Sequence, residues 1–389
     1  MRRKLMKGAV AFGVLSAGVL FGGLISGTAG AAETIKIGAI YSLTGDMAIV
    51  EDPAYKAAQL AVDEINGAGG IKGQQIELIH YDGKSSVTDF SNAAQRLVHE
   101  DGVVAVIGAC DSSLYLAGAA ITQEAGIPFL DTGGTVPDLP AQVGEYGHMM
   151  PFGDDYQAFV AADFALGDLG AKTAYILRDS DTDYTRAIAQ FFKERFLEKG
   201  GQIIGESSYH SGDTDYSAHI TKVRGLDPAP DVIYAAVLPG DDAVVVRQFR
   251  EAGVTLPIVG GDALDSPEFI ENSGKGNSDN VYFTTHMALK PDGGKVSKFI
   301  EGYQAKFGYP PENAFAGLGY DSVYLMAEAM KRASELTPEA INAAIPTIDN
   351  FDGVSGKADF EVKGRAPHKE VTLIAVKEGQ FTLVGNRTP

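Results

Sequence analysis

Four short stretches carry residue types that can grip a small charged molecule. "GACDSS" (108–113) sets Asp111 ahead of the pair Ser112 and Ser113. "DTGGTVPDLP" (131–140) packs an acid, two threonines and two glycines between an apolar run and two prolines. "RDSDTDY" (178–184) ends on Tyr184, and "GGDALDS" (260–266) carries Asp262. Such residues can cradle a phosphate, supply a nucleophile or clamp a zwitterion. Ser112 and Ser113 open a helix, where unbonded N–H groups and the helix dipole favour an anion. Thr135 adds a hydroxyl, and Gly133 an amide that no side chain shields. These four suit a carboxylate, and Asp262 suits an ammonium. Asp131 reads either as a turn former or as a sign that the ligand brings a positive charge.

The elements that must hold these residues follow from the apolar periodicity. "TIKIGAIY", "QIELIHYD", "VVAVIG" and "IPFL" read as strands. Between them, "PAYKAAQLAVDEIN", "VTDFSNAAQRLVHE" and "SLYLAGAAITQEAG" read as helices, with Pro53 in the first turn of the first. Alternation of this kind implies a parallel sheet with helices on both faces. The same plan resumes after Tyr156 with "KTAYILRD", "QIIGESSYH", "DVIYAAVL" and "LPIVGG" as strands. "EVTLIAV" and "QFTLVG" read as a terminal hairpin, preceded by a long helical block that takes the chain back to its first half. Two α/β lobes joined by several crossings are expected. Open α/β sheets bind ligands beyond the carboxyl ends of their strands, and all four stretches fall at such ends.

Other motifs do not carry chemistry. "GAGGIKG" (67–73) follows a helix and has Lys72 in place of the third glycine, so it is a cap and turn, not a dinucleotide loop. "GKS" (83–85) has Leu78 where a phosphate loop needs glycine. "DSDTDY" (179–184) puts Tyr184 and Gln190 where a calcium loop needs glycine and a bidentate acid, so its acids start a helix. The seven histidines lack metal-ligand spacing, and no nucleophile elbow occurs. No metal, cofactor or enzymatic activity is expected.

Composition and the chain start set the compartment. "MRRKLMK" and the apolar run Gly8–Ser26, followed by Ala29 and Ala31 at signal-peptidase spacing, read as an export signal over 1–32. The lone Cys110 leaves neither an internal disulfide nor a lipid-modified N-terminal cysteine. It is expected to pack as a small buried hydrophobe. Removing the four cations of the signal takes the formal charge from −19 to −23. That excludes nucleic acid, which needs a basic footprint, and favours solubility. A soluble periplasmic protein, monomeric and without a lipid anchor, is expected.

"IKIGAIYSLTGDMA", "AVDEINGAGGIKGQQIEL", "VIGACDSS", "AGIPFLDTGGTVPDL" and "PPENAFAGLGYDSVYLMAEA" resemble the substrate-binding proteins of branched-chain amino acid ABC transporters. The resemblance covers essentially the whole mature chain. It implies a type I periplasmic binding fold: two Rossmann-like lobes, a three-crossing hinge and a ligand cleft between them. The implied lobes are 33–153 with 287–361, and 154–286 with 362–389. The implied ligand is an amino acid or related small polar molecule, and the implied partner a membrane permease. The implied carboxylate site is Ser112, Thr135 and the backbone near Gly133, the aromatic lid Tyr184 and the ammonium acid Asp262. This sequence departs from that pattern by aliphatic Val50 and Leu238 where leucine-binding relatives tend to be aromatic. It also has a shorter acid at 262 and extra charge from Glu51 and Asp111. Either Asp111 caps its helix and turns away, or the ligand is not an ordinary α-amino acid. Alternatives are an amide- or urea-type ligand, a sensory receptor, and a secreted enzyme.

Overall fold

The computed structural model describes residues 34–274, 276–360 and 366–389. The export signal and the expected lobe boundary at 361/362 lie outside them. The chain opens with β1 (Ile35–Tyr41), α1 (Ala48–Gly67), β2 (Ile76–Asp82), α2 (Val87–Arg96), β3 (Ala105–Gly108) and α3 (Ser112–Glu124). Next come β4 (Phe129–Asp131), α4 (Leu139–Val143) and β5 (Gly147–Met149). The five strands form one parallel sheet in the order β2-β1-β3-β4-β5.

After crossing at 150–153, the chain forms α5 (Asp154–Gly167), β6 (Thr173–Asp179), α6 (Asp183–Glu198), β7 (Gln202–Tyr209) and α7 (Ser217–Arg224). It continues through β8 (Val232–Ala236), α8 (Asp241–Glu251), β9 (Ile258–Gly260), α9 (Pro267–Ser273) and β10 (Val281–Thr285). A second crossing returns it as α10 (Lys295–Phe307), α11 (Ala314–Arg332), α12 (Pro338–Ala344) and the small hairpin β11 (Phe351–Gly353) with β12 (Gly356–Ala358). The third leads to β13 (Val371–Lys377) and β14 (Gln380–Arg387).

The second sheet runs β14-β13-β10-β9-β8-β6-β7, parallel except for the terminal hairpin β13–β14. Its β7-β6-β8-β9-β10 portion repeats the order of the first sheet, so each sheet reverses its winding beside its own first strand. Such reversals are where doubly wound folds leave a crevice. Sequence periodicity anticipated the strands of both halves except β5, β10, β11 and β12. "GHM" and "FDG" are too short to show a period, and "VYFTT" lies between turns without a flanking helix signal.

Helix α1 begins five residues before the proline expected in its first turn, so Pro53 lies inside it. Proline lacks the N–H that would bond to Ile49 O. The Asn313 side chain supplies that bond instead, at 3.0 Å. Asn313 also caps α11 through Phe315 N. One side chain therefore repairs α1 and starts α11, and fixes Phe315 at the helix start. The two helices then pack so closely that a Cβ on Gly319 would lie 2.0 Å from the carbonyl oxygen of Ala54. Gly319→Ala is therefore expected to force α1 and α11 apart and lower stability by about 1–3 kcal/mol. Thermal unfolding checks this, and an unchanged melting temperature would show that the pair adapts freely.

Candidate functional site

Strand ends of both sheets converge on one partly open cavity of about 280 Å³, its mouth included. Of the residues singled out from the sequence, Asp111, Ser112, Gly133, Thr135, Tyr184, Leu238 and Asp262 line it. Ser113 does not. It stands at the mouth, where its Oγ donates to Asp183 Oδ2 and accepts from Asp183 N, both at 3.1 Å. This pair joins α3 to the start of α6 and closes the cleft. Glu51 is also displaced from the expected site. It is fully buried beneath the cavity, where its carboxylate accepts the N–H groups of Ser42 and Cys110. Burial outweighs those two bonds and pushes its pKa up to about 7. It serves the fold of the β1 and β3 ends, not the ligand surface.

The anion side is built at the start of α3. Asp111 caps this helix, its Oδ1 accepting from Ser113 N at 2.9 Å and Leu114 N at 3.0 Å. Capping is the first of the two options the sequence left for Asp111, but the side chain does not turn away, since it still lines the cavity. Neither the Ser112 N–H nor the Thr135 N–H has an acceptor among the described residues. Ser112 Oγ accepts from Val136 N at 3.2 Å, which leaves its own proton free to donate. Gly133 supplies no amide, contrary to expectation, because its N–H is bonded to Ala109 O. Its lack of a side chain matters for packing: a Cβ there would meet Phe315 at 2.9 Å and Cys110 Sγ at 3.0 Å. Asp131 accepts from Gly134 N at 3.0 Å, is fully buried and lies outside the cavity wall. It is a turn former.

The cation side is a single carboxylate held from three directions. Tyr184 Oη donates to Asp262 Oδ1 at 2.9 Å, and Gln157 Nε2 to the same oxygen at 3.0 Å. His286 Nε2 lies 2.9 Å from Asp262 Oδ2, where it serves as a donor. Tyr184 is thus committed to Asp262 instead of standing free as a lid. The His286 ring is stacked on Phe152 at 4.2 Å between centroids, and burial holds its pKa below the usual value, against the pull of Asp262. Gln157 uses its whole amide, since Nε2 also reaches Asp154 Oδ1 while Oε1 accepts from Asp262 N and Thr284 Oγ1. With both oxygens tethered, Asp262 cannot swing away, and Oδ2 keeps a lone pair for a further donor.

Met47, Val50, Pro239, Ala263 and Phe315 complete an apolar wall, with Cys110 buried among them. Burial and the nearby Glu51 push the Cys110 thiol well up, so it stays protonated. Sequence reasoning missed His286 and Gln157. The rule that singles out strand ends would have found His286 directly after β10, had that strand been recognised. Among the described residues no helix is long and apolar enough to cross a membrane, and no cluster of three or more His, Cys, Asp or Glu could hold a metal ion.

Known proteins share this arrangement of lobes. Residues 34–380 match the family model described as periplasmic binding protein. The branched-chain amino acid transporter substrate-binding protein LivJ from Streptococcus pneumoniae, solved with isoleucine, superposes with a TM-score of 0.85 at 31% identity. That match covers 92% of this chain and 100% of that one. The leucine-binding protein LivK from Thermotoga maritima gives the same score and identity over 92% and 99%. A leucine-, isoleucine-, valine-, threonine- and alanine-binding protein of Pseudomonas aeruginosa is 26% identical over 88% of this chain and 90% of its own. With two doubly wound lobes closing on one cavity, this chain belongs to the periplasmic binding protein family, among the type I substrate-binding proteins of branched-chain amino acid ABC transporters.

Proposed function

We propose that the protein is the periplasmic substrate-binding component of an ABC importer, that it binds an amino acid and that it hands it to a membrane permease. The observation that carries this reading is the pairing of two unused amide donors, at Ser112 and Thr135, with a fully tethered carboxylate, Asp262, around one cavity. A zwitterion matches both ends, and a buried ligand needs every polar group matched. The wall of Met47, Val50, Leu238 and Phe315 suits an aliphatic side chain or stem, in keeping with the isoleucine held by the pneumococcal relative. Residues 1–32 act as the export signal, and the mature chain is a soluble monomer that binds without turnover. Residues 33–153 with 287–361 form one moving lobe, and 154–286 with 362–389 the other.

Calorimetry of the mature protein against the common amino acids tests the reading, and no binding by any of them sinks it. Ser112→Ala and Thr135→Val each remove one hydroxyl from the carboxylate seat and leave the amides. Each is expected to weaken the bound amino acid by about tenfold, the worth of one hydrogen bond to a charged group. Affinities unchanged in both variants would move the carboxylate elsewhere.

A further inference from the structure

Asp111 stands between two adjoining spaces. The inner cavity and a vestibule of about 710 Å³ at the cleft mouth share Met47, Asp111, Leu238 and Pro239 in their walls. The vestibule adds Asp46, Asp181 and Asp241, and no described lysine, arginine or histidine lines either space. Asp111 itself is only 5% exposed. Its Oδ1 is satisfied by the two amides of α3, whereas Oδ2 is buried without a partner among the described residues. A buried carboxylate oxygen left without a donor is unfavourable, and native structures rarely keep one without a reason. Capping does not offset the burial, which pushes the Asp111 carboxyl up to about 6.

We propose that the ligand is an amino acid with a cationic side chain, whose aliphatic stem runs along Met47, Leu238 and Pro239 and whose terminal ammonium or guanidinium meets Asp111 Oδ2. This deepens the amino-acid reading and rests on it. Charge balance carries the argument beyond the missing hydrogen bond. A neutral amino acid seated on Ser112 and Thr135 brings its carboxylate beside Asp111, and like charges at short range in a closed site repel strongly. A hydroxyl side chain would satisfy Oδ2 but would leave that repulsion. A cation removes both defects. Long basic side chains also bury their methylenes against apolar wall while the charged end reaches polar surroundings, and the shared wall offers both.

Titration of the mature protein with lysine and ornithine, against norleucine and norvaline, tests this. Each pair has the same stem with and without the terminal amine. The amine-bearing member is expected to bind at least about tenfold tighter, as a charge-assisted hydrogen bond in a closed site requires. Asp111→Asn keeps a residue that caps helices well, so the variant should fold. It is expected to bring lysine down to the level of norleucine and leave norleucine unchanged or tighter. Should its melting temperature fall, Asp111→Ser, also a capping residue, replaces it. Norleucine binding as tightly as lysine to the unaltered protein, or a lysine preference that survives both substitutions, overturns the cationic ligand alone. If none of the four amino acids binds, the amino-acid reading falls with it.

Discussion

Asp262→Ala is expected to weaken binding of the amino acid by about a hundredfold to a thousandfold. What the substitution leaves behind sets the size of the loss. A bound ammonium in a closed cleft would lose its only tethered carboxylate, and breaking a buried charge pair by removing one partner costs about 3–5 kcal/mol. The free protein also changes, because Tyr184 Oη, Gln157 Nε2 and His286 Nε2 all point at the vanished oxygens. Orphaned donors cost about 1–3 kcal/mol in a buried site, so the variant should melt earlier while remaining folded. Calorimetry with thermal unfolding separates the two effects. A variant that melts normally and binds with unaltered affinity would remove Asp262 from the site. His286→Gln, which keeps a donor but not the stacked ring, should fall between the two.

Stability should decline as pH rises from about 4 to 7, the reverse of what salt-bridged carboxylates produce. Four buried acids lack a cation in contact among the described residues and are raised mainly by burial: Glu51 and Asp242 to about 7, Asp111 and Asp265 to about 6. In each case the folded pKa lies above the unfolded one, so the folded state holds its proton more tightly. That contribution is fully present below the unfolded value near 4 and is lost as pH climbs through the folded value. For Glu51 alone, a rise from 4.5 to about 7 corresponds to roughly 3 kcal/mol. Asp131 and Asp154, also buried and raised, act in the same sense, and so does the self-repulsion of a chain with formal charge −19. His286 opposes them, because burial holds its pKa low, and so do carboxyls held low by partners, such as Asp168 beside Arg387 and Asp231 on the Lys172 amide, whose contributions are lost as pH falls. Melting temperatures between pH 4.5 and 8 should therefore peak on the acid side. A flat profile, or one rising with pH, would show that these carboxyls ionise freely in the folded state. Glu51→Gln should remove its share of the slope.

Much of this site was legible because it sits at strand ends, and strand ends follow from periodicity. Ser112, Thr135, Tyr184, Leu238 and Asp262 come together for that reason. What stayed hidden depends on pairings that no single stretch encodes. Glu51 reads as a charge near the cleft, but α1 turns it inward onto two amides. Gln157 meets Asp262 only because α5 packs under β9 and β10, more than a hundred residues away in sequence. Gly133 shows the limit from the other side. A glycine at the right place suggests a free amide, and only the bond to Ala109 O reveals that the amide is spent. The parallel pairing of the strands was foreshadowed by the repeated alternation, whereas three-residue strands such as β5 carry too little pattern to be seen.

The clasp between Ser113 and Asp183 lies outside the wall of the inner cavity. For a compound held within that inner wall, whatever the clasp contributes to closure is independent of the compound's chemistry. An observed dissociation constant is the intrinsic one divided by the fraction of free protein already shut, and this contact helps to set that fraction. Ratios between ligands thus report the chemistry of the cavity wall, while the absolute scale of affinity is set at the rim. Natural variation at positions 113 and 183 could shift the working concentration range of the receptor without altering what it prefers.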